Sequence, residues 1–128
     1  MSDLHRRGTE TALQSCGGDE RLSLVFEDDG ETGYLYVLDH TDSPGQPIKD
    51  ALHLYNVNGP DVVEHSVSFH WSGDGKRCAL FFGGTAVAFV DFATKQALSR
   101  SNFPEFSTWT QQARARWSDD APGLVDKQ

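Results

Sequence analysis

The chain is 128 residues long, 38% hydrophobic and 11% aromatic, enough apolar material to fold as one domain around its own core rather than stay disordered. Nineteen Asp and Glu against eleven Lys and Arg leave a net charge of −8, which disfavours nucleic acid as a partner because phosphate binding rests on clustered bases. No apolar run approaches the roughly 20 residues of a membrane helix, and Arg6-Arg7 have no apolar segment behind them. Neither a membrane partner nor a signal peptide is therefore expected, and the expected location is cytoplasmic.

In chain order, residues 1–20 are polar and Gly-rich and predict a flexible N-terminal arm with one loose helical turn around Thr9–Gln14. Leu22–Phe26 and Gly33–Leu38 read as strands. The second is apolar on both faces, which suits a central strand. Thr41–Pro47 holds two prolines and a glycine and reads as a loop; Ala51–Val57 resumes a strand, and Asn58-Gly-Pro60 is a turn. Val67-Ser-Phe-His-Trp71 alternates strictly, with Val67, Phe69 and Trp71 inward. Arg77–Phe82 and Thr85–Phe92 form a hairpin across Gly83-Gly84, and Ala97–Ser99 adds a short edge strand. Phe106, Trp109, Ala113 and Trp117 then recur at helical spacing, with Pro104 in the first turn and Asn102 as the cap. Ser118–Gln128 is acidic and expected to fray.

One internal echo organises these elements. Phe26-Glu-Asp-Asp-Gly-Glu-Thr-Gly-Tyr-Leu-Tyr-Val aligns, 45 residues on, with Trp71-Ser-Gly-Asp-Gly-Lys-Arg-Cys-Ala-Leu-Phe-Phe. Asp-Gly between strand-like runs is a strong hairpin signal, since these residues tolerate the turn's positive φ. The expected architecture is mainly β (α+β): two consecutive antiparallel meanders forming a sandwich or curled sheet. One amphipathic helix over about 104–117 packs on it, and the domain spans 21–117.

Two resemblances follow from these residues. Phe69-His-Trp-Ser-Gly-Asp-Gly-Lys-Arg-Cys-Ala-Leu80, with Phe89-Val-Asp-Phe-Ala-Thr-Lys95, resembles one blade of a TolB-type β-propeller. A closed propeller needs about four blades, so the resemblance implies a shared meander and not a propeller. From Arg21 to Trp117 the chain also resembles a small bacterial family of uncharacterised β-rich proteins. The matching residues are Phe26-Glu-Asp-Asp-Gly-x-Thr-Gly-Tyr-Leu-Tyr, Asp50–Val57, the Trp71 turn, Asp91-Phe92 and Phe103-Pro104. That resemblance implies a fold and a bacterial source and no activity. Some small acidic proteins of this general kind are immunity proteins that neutralise toxins, an analogy of class.

The candidate sites are few. From Gly17 to Asp50 stand nine carboxylates, with only Arg21 and Lys49 as bases; from Lys76 to Trp117 stand six bases against Asp91 and Glu105. Such a field steers a basic protein toward the N-terminal half. The acids of Glu27-Asp-Asp-Gly-Glu31 are bunched round a hairpin rather than alternating over a dozen residues, so they do not form a calcium loop. His40, His53, His65 and His70 have no metal-site spacing, and Cys16 and Cys78 match none either. Ser72 lacks a nucleophile elbow, and Gly83-Gly84 lacks the Lys-Ser/Thr of a phosphate loop. No cofactor is implied.

The leading expectation is a non-enzymatic binding protein, most concretely an immunity protein or inhibitor of a basic bacterial toxin. Glu27, Asp28, Asp29, Glu31 and Asp42 would steer the partner, with Tyr34 and Tyr36 as aromatic anchors. The alternative is a small-molecule or carbohydrate-binding β module using Tyr34, Tyr36 and Tyr55. An enzyme built on His53 or His65 beside a carboxylate is a third reading. Unpaired edge strands would also permit a homodimer.

Overall fold

The computed structural model describes residues 2–41, 45–57 and 63–120, and among them every regular element is a strand. In chain order these are β1 (Ser2–Arg6), β2 (Thr11–Cys16), β3 (Leu22–Asp28), β4 (Thr32–Asp39), β5 (Ile48–Asn56) and β6 (Glu64–Trp71). There follow β7 (Arg77–Phe82), β8 (Thr85–Asp91), β9 (Gln96–Ser99), β10 (Phe106–Ser107) and β11 (Gln112–Ala113). One sheet has the order β2-β3-β4-β5 and a second the order β1-β6-β7-β8-β9, all neighbours antiparallel.

The two sheets pack face to face. Leu24, Phe26, Leu35, Val37 and Leu52 of the first meet Val67, Leu80, Ala88 and Val90 of the second in one buried cluster. The alternation of the strands places these residues inward and their neighbours outward. Of the two expected layouts, the sandwich is the one formed, and β4 sits centrally between β3 and β5.

The echo describes this pairing. β2-β3-β4-β5 in one sheet matches β1-β6-β7-β8 in the other. The two Asp-Gly turns join β3 to β4 and β6 to β7. Both turns carry Gly at positive φ, Gly30 at 97° and Gly75 at 72°. In each the Asp accepts backbone N–H groups: Asp29 Oδ1 from Glu31 and Thr32, Asp74 Oδ1 from Lys76.

Two expectations are corrected. The first twenty residues, read as an arm with a helical turn, supply β1 and β2. The inward positions of β2 are Thr11, Leu13 and Ser15, which opposite Asp28, Phe26 and Leu24 share the core side of the sheet. They are mostly polar and give no apolar signal. Their partners lie elsewhere in the chain: Trp71 Nε1 donates to Ser15 Oγ at 2.9 Å, and Thr11 Oγ1 lies 3.3 Å from His5 Nδ1.

The second correction is the C-terminal helix, which does not form. Residues 104–117 make instead a short β10–β11 ladder and irregular chain, with Asn102 and Gln111 at positive φ. The aromatic spacing is helical, but its members are not buried on one face. Phe106 and Ala113 are exposed. Trp109 joins the inter-sheet core against Phe92, whereas Trp117 packs on Ala79, Phe89 and Leu98 on the far side of the β7-β8-β9 sheet. The chain rounds the sheet edge between the two tryptophans, so one straight helix cannot place both.

Arg114 locks that path. Its side chain is 3% exposed, and the guanidinium forms a fork on Asp50 (Nη1–Oδ2 2.7 Å, Nη2–Oδ1 2.8 Å) and also donates to the carbonyls of Ala97 and Pro104. Ser107 Oγ donates to the same carboxylate at 3.1 Å. A buried pair so fully hydrogen-bonded is costly to break from one side. The expected acidic tail falls largely outside the described residues.

Candidate functional site

β3, β4 and β5 turn a common outer face to solvent. Register sets its membership: Tyr34 lies opposite Glu27 on one side and His53 on the other, and Tyr36 lies opposite Val25 and Ala51. Tyr34 and Tyr36 stack at 6.2 Å with 23° between planes. His53 stands 5.7 Å from Tyr34 and nearly perpendicular to it, and Phe103 stands 5.8 Å beyond His53, again perpendicular. Four rings thus run across the sheet, and the last of them, Phe103, is 53% exposed.

Phe103 arrives from the C-terminal segment. The His53 N–H donates to the Phe103 carbonyl at 3.0 Å, and Ser101 Oγ donates to the His53 carbonyl at 2.6 Å, so residues 101–103 cover the open edge of β5. Thr32, Tyr34, His53, Asn56, Ser101 and Phe103 line an open cavity of about 410 Å³ at this end of the row. His53 Nε2 donates to Asn56 Oδ1 at 3.1 Å. Its Nδ1 is therefore an acceptor, and it is the one buried side-chain polar atom among the described residues with no hydrogen-bond partner.

The carboxylates expected beside this face divide. Glu27 lies on it, accepting the Tyr36 hydroxyl at 3.3 Å. Burial, and then the Glu27 charge and hydrogen bond, raise that hydroxyl above the usual tyrosine value and keep it a donor. Asp29 and Glu31 are exposed in the adjoining turn. The two turn N–H groups it accepts hold the Asp29 carboxyl below its usual value. Asp42 lies outside the described residues.

Asp28 is not on the face. It is 1% exposed and points between the sheets, where Tyr55 Oη donates to its Oδ2 at 2.6 Å and the Gly8 and Gly30 N–H groups donate at 2.9 and 2.8 Å. His5 Nε2 completes the set at 2.9 Å from Oδ2 and 3.1 Å from Tyr55 Oη. Burial raises the Asp28 pKa, but these hydrogen bonds together outweigh it and hold it below the usual value. The Tyr55 hydroxyl is pushed up, by burial first and then by Asp28. This cluster ties β1 to β3 and β5, and it removes Tyr55 from the surface set as well. Gly33 opposite Tyr55 is what admits the ring, since a Cβ there would lie 2.4 Å from it.

The other histidines also find structural neighbours. His65 Nε2 accepts from Arg7 Nε at 3.0 Å, and its ring stacks on Phe82 at 4.2 Å. Arg7 lies over the Tyr55 ring at 4.2 Å. Neither His53 nor His65 hydrogen-bonds to a carboxylate among the described residues, and no group of three metal-ligating side chains occurs among them. Cys16 is exposed and unpaired at the end of β2, and Cys78 is buried, which raises its thiol pKa.

His5, Arg7 and Phe103 escaped the reading of the sequence. His5 and Arg7 lie in the segment taken as an arm, and Phe103 in the lead-in to the expected helix. The alternation could have placed Asp28, two residues from inward Phe26, on the core side.

Comparison with known proteins agrees with the family resemblance. A family model described as an uncharacterised protein conserved in bacteria, DUF2251, matches residues 5–124. An uncharacterised protein of Haemophilus influenzae is 35% identical over 98 residues, covering 73% of this chain. The match spans only 60% of that relative's length. No solved structure matches. The chain belongs to the bacterial DUF2251 family.

Proposed function

We propose that this is a non-enzymatic binding protein whose β3-β4-β5 outer face docks a basic protein. Its most concrete form is a cytoplasmic immunity protein or inhibitor that blocks a bacterial toxin. The observation that carries this reading is the row Tyr36, Tyr34, His53 and Phe103, laid beside Glu27 and ending near the Asp29-Glu31 turn. Half-exposed aromatic rings supply anchoring area at low entropic cost, and neighbouring carboxylates steer a cationic partner and speed its arrival. The chain's net charge of −8 acts in the same direction.

Capture from lysate of the encoding bacterium tests it, with wild-type protein and a Glu27→Gln/Glu31→Gln variant as parallel baits. A partner held by the wild type, weakened by salt and reduced on the variant is the expected result. A partner held equally by both baits at high salt contradicts it.

The 410 Å³ cavity favours a second reading, since pockets of roughly 300–1,000 Å³ suit small ligands. Thr32, Asn56 and Ser101 beside aromatic rings are groups that hold a sugar. Loss of saccharide binding in Tyr34→Ala, unchanged by salt, would select that reading.

A further inference from the structure

The molecule already contains one arginine seated among a tyrosine, a histidine and a phenylalanine. Arg7 lies 4.2 Å over the Tyr55 ring and 5.6 Å from the Phe82 ring, and its Nε donates to the acceptor nitrogen of His65 at 3.0 Å. The tyrosine and histidine of that seat are 6.4 Å apart at 78°. The cavity on the outer face repeats the set without the arginine. Tyr34 and His53 are 5.7 Å apart at 79°, and Phe103 is the third ring. The seats also differ: His65 stacks flat on Phe82 and Tyr55 touches Phe82 at 5.9 Å, whereas Phe103 stands edge-on to His53, and the Nε2 that serves Arg7 in His65 is in His53 bonded to Asn56.

From this parallel, and resting on the docking reading above, we propose that the Tyr34–His53–Phe103 cavity is an anchor pocket for an arginine side chain of the partner. No Lys or Arg lines the cavity, so nothing cationic opposes the charge. Thr32, on its wall, follows Asp29 and Glu31 in the turn and brings their field to the rim. Asn56 Oδ1 retains a lone pair beyond the one used by His53, and the Thr32 hydroxyl offers a further acceptor oxygen. A planar guanidinium uses ring faces and several in-plane acceptors at once; a lysine ammonium is a strongly hydrated point charge and uses them less well.

The probe is the blocked peptide Gly-Gly-Arg-Gly-Gly, with lysine and citrulline versions as controls, titrated into the intact protein and followed by amide chemical shifts. The Arg peptide should shift Thr32, Tyr34, His53, Asn56 and Phe103, bind about threefold or more tightly than the Lys peptide, and lose about fivefold or more on Phe103→Ala. Phe103 is exposed enough for that variant to fold, and Tyr34→Leu gives a second test. Equal binding of the citrulline peptide, shifts mapping elsewhere, or preferential occupancy of the cavity by a neutral saccharide each overturns the proposal. Failure here with Glu27- and Glu31-dependent capture intact removes the arginine anchor alone; failure of both removes the docking reading.

Discussion

The two sheets turn different outer faces to solvent. On the β7-β8-β9 side, Ala79, Phe89 and Leu98 are buried because Trp117 and Phe81 close over them, with Arg100 5.1 Å from the Trp117 ring. On the β3-β4-β5 side, Tyr34, Tyr36, His53 and Phe103 stay at the surface beside Glu27. The same C-terminal segment makes the difference: residues 101–103 stop at the edge of β5, and Trp117 crosses to the other sheet. One aromatic face is covered by the chain itself; the other stands open among the described residues.

The comparison breaks most severely at the lock that holds the segment. Arg114→Leu leaves Asp50 buried without its partner and should lower unfolding free energy by about 3–5 kcal/mol in urea titration. A loss under about 1 kcal/mol would show that the covering does not depend on this pair. Trp117→Ala should cost about 2 kcal/mol, less than full burial would give, because the indole is half-buried. It should also create on the second face an apolar patch that binds hydrophobic dye, absent in the wild type.

A pH dependence sharpens the account of the inter-sheet cluster. Burial lowers the His65 pKa, outweighing its hydrogen bond to the Ser66 carbonyl, and Arg7 lowers it further. Below the ordinary value of about 6.5 the unfolded chain binds the proton and the folded one resists it. Stability from this group is thus complete above about pH 6.5 and is lost as pH falls toward the folded value. His65→Gln should flatten that slope in unfolding curves between pH 5 and 6.5; an unchanged slope assigns it to other groups. Asp28 adds the corresponding effect lower down, present above about pH 4 and lost as pH falls through its depressed value.

The smallest effect on stability is expected on the open face. Phe103→Ala should change unfolding free energy by about 0.5 kcal/mol, since the ring is 53% exposed. A loss of several kcal/mol would make Phe103 a packing residue and close the comparison.

Much of this was legible in the sequence, and the gaps have physical causes. Apolar alternation and the Asp-Gly turns mark β3 to β9 in the sequence, and the alternation of β4 puts Tyr34 and Tyr36 on one face. β1 and β2 were not legible because His5, Thr11 and Ser15 fill inward positions with polar groups, satisfied by Asp28, Tyr55 and Trp71 from distant strands. The helix was misread because a 3.6-residue spacing of aromatics does not reveal that two of them bury on opposite sides of one sheet. His53 and Phe103 join the row through a contact 50 residues long in sequence, which no local pattern encodes.

The most direct test of the open-face claim is a matched pair of surface variants in partner capture: Glu27→Lys/Tyr34→Ala on one sheet, Ser68→Lys/His70→Ala on the outer face of the other. The account predicts that the partner held by the wild type is lost from the first variant and kept by the second, with both folded by circular dichroism. Loss from the second, or retention by the first, would contradict it.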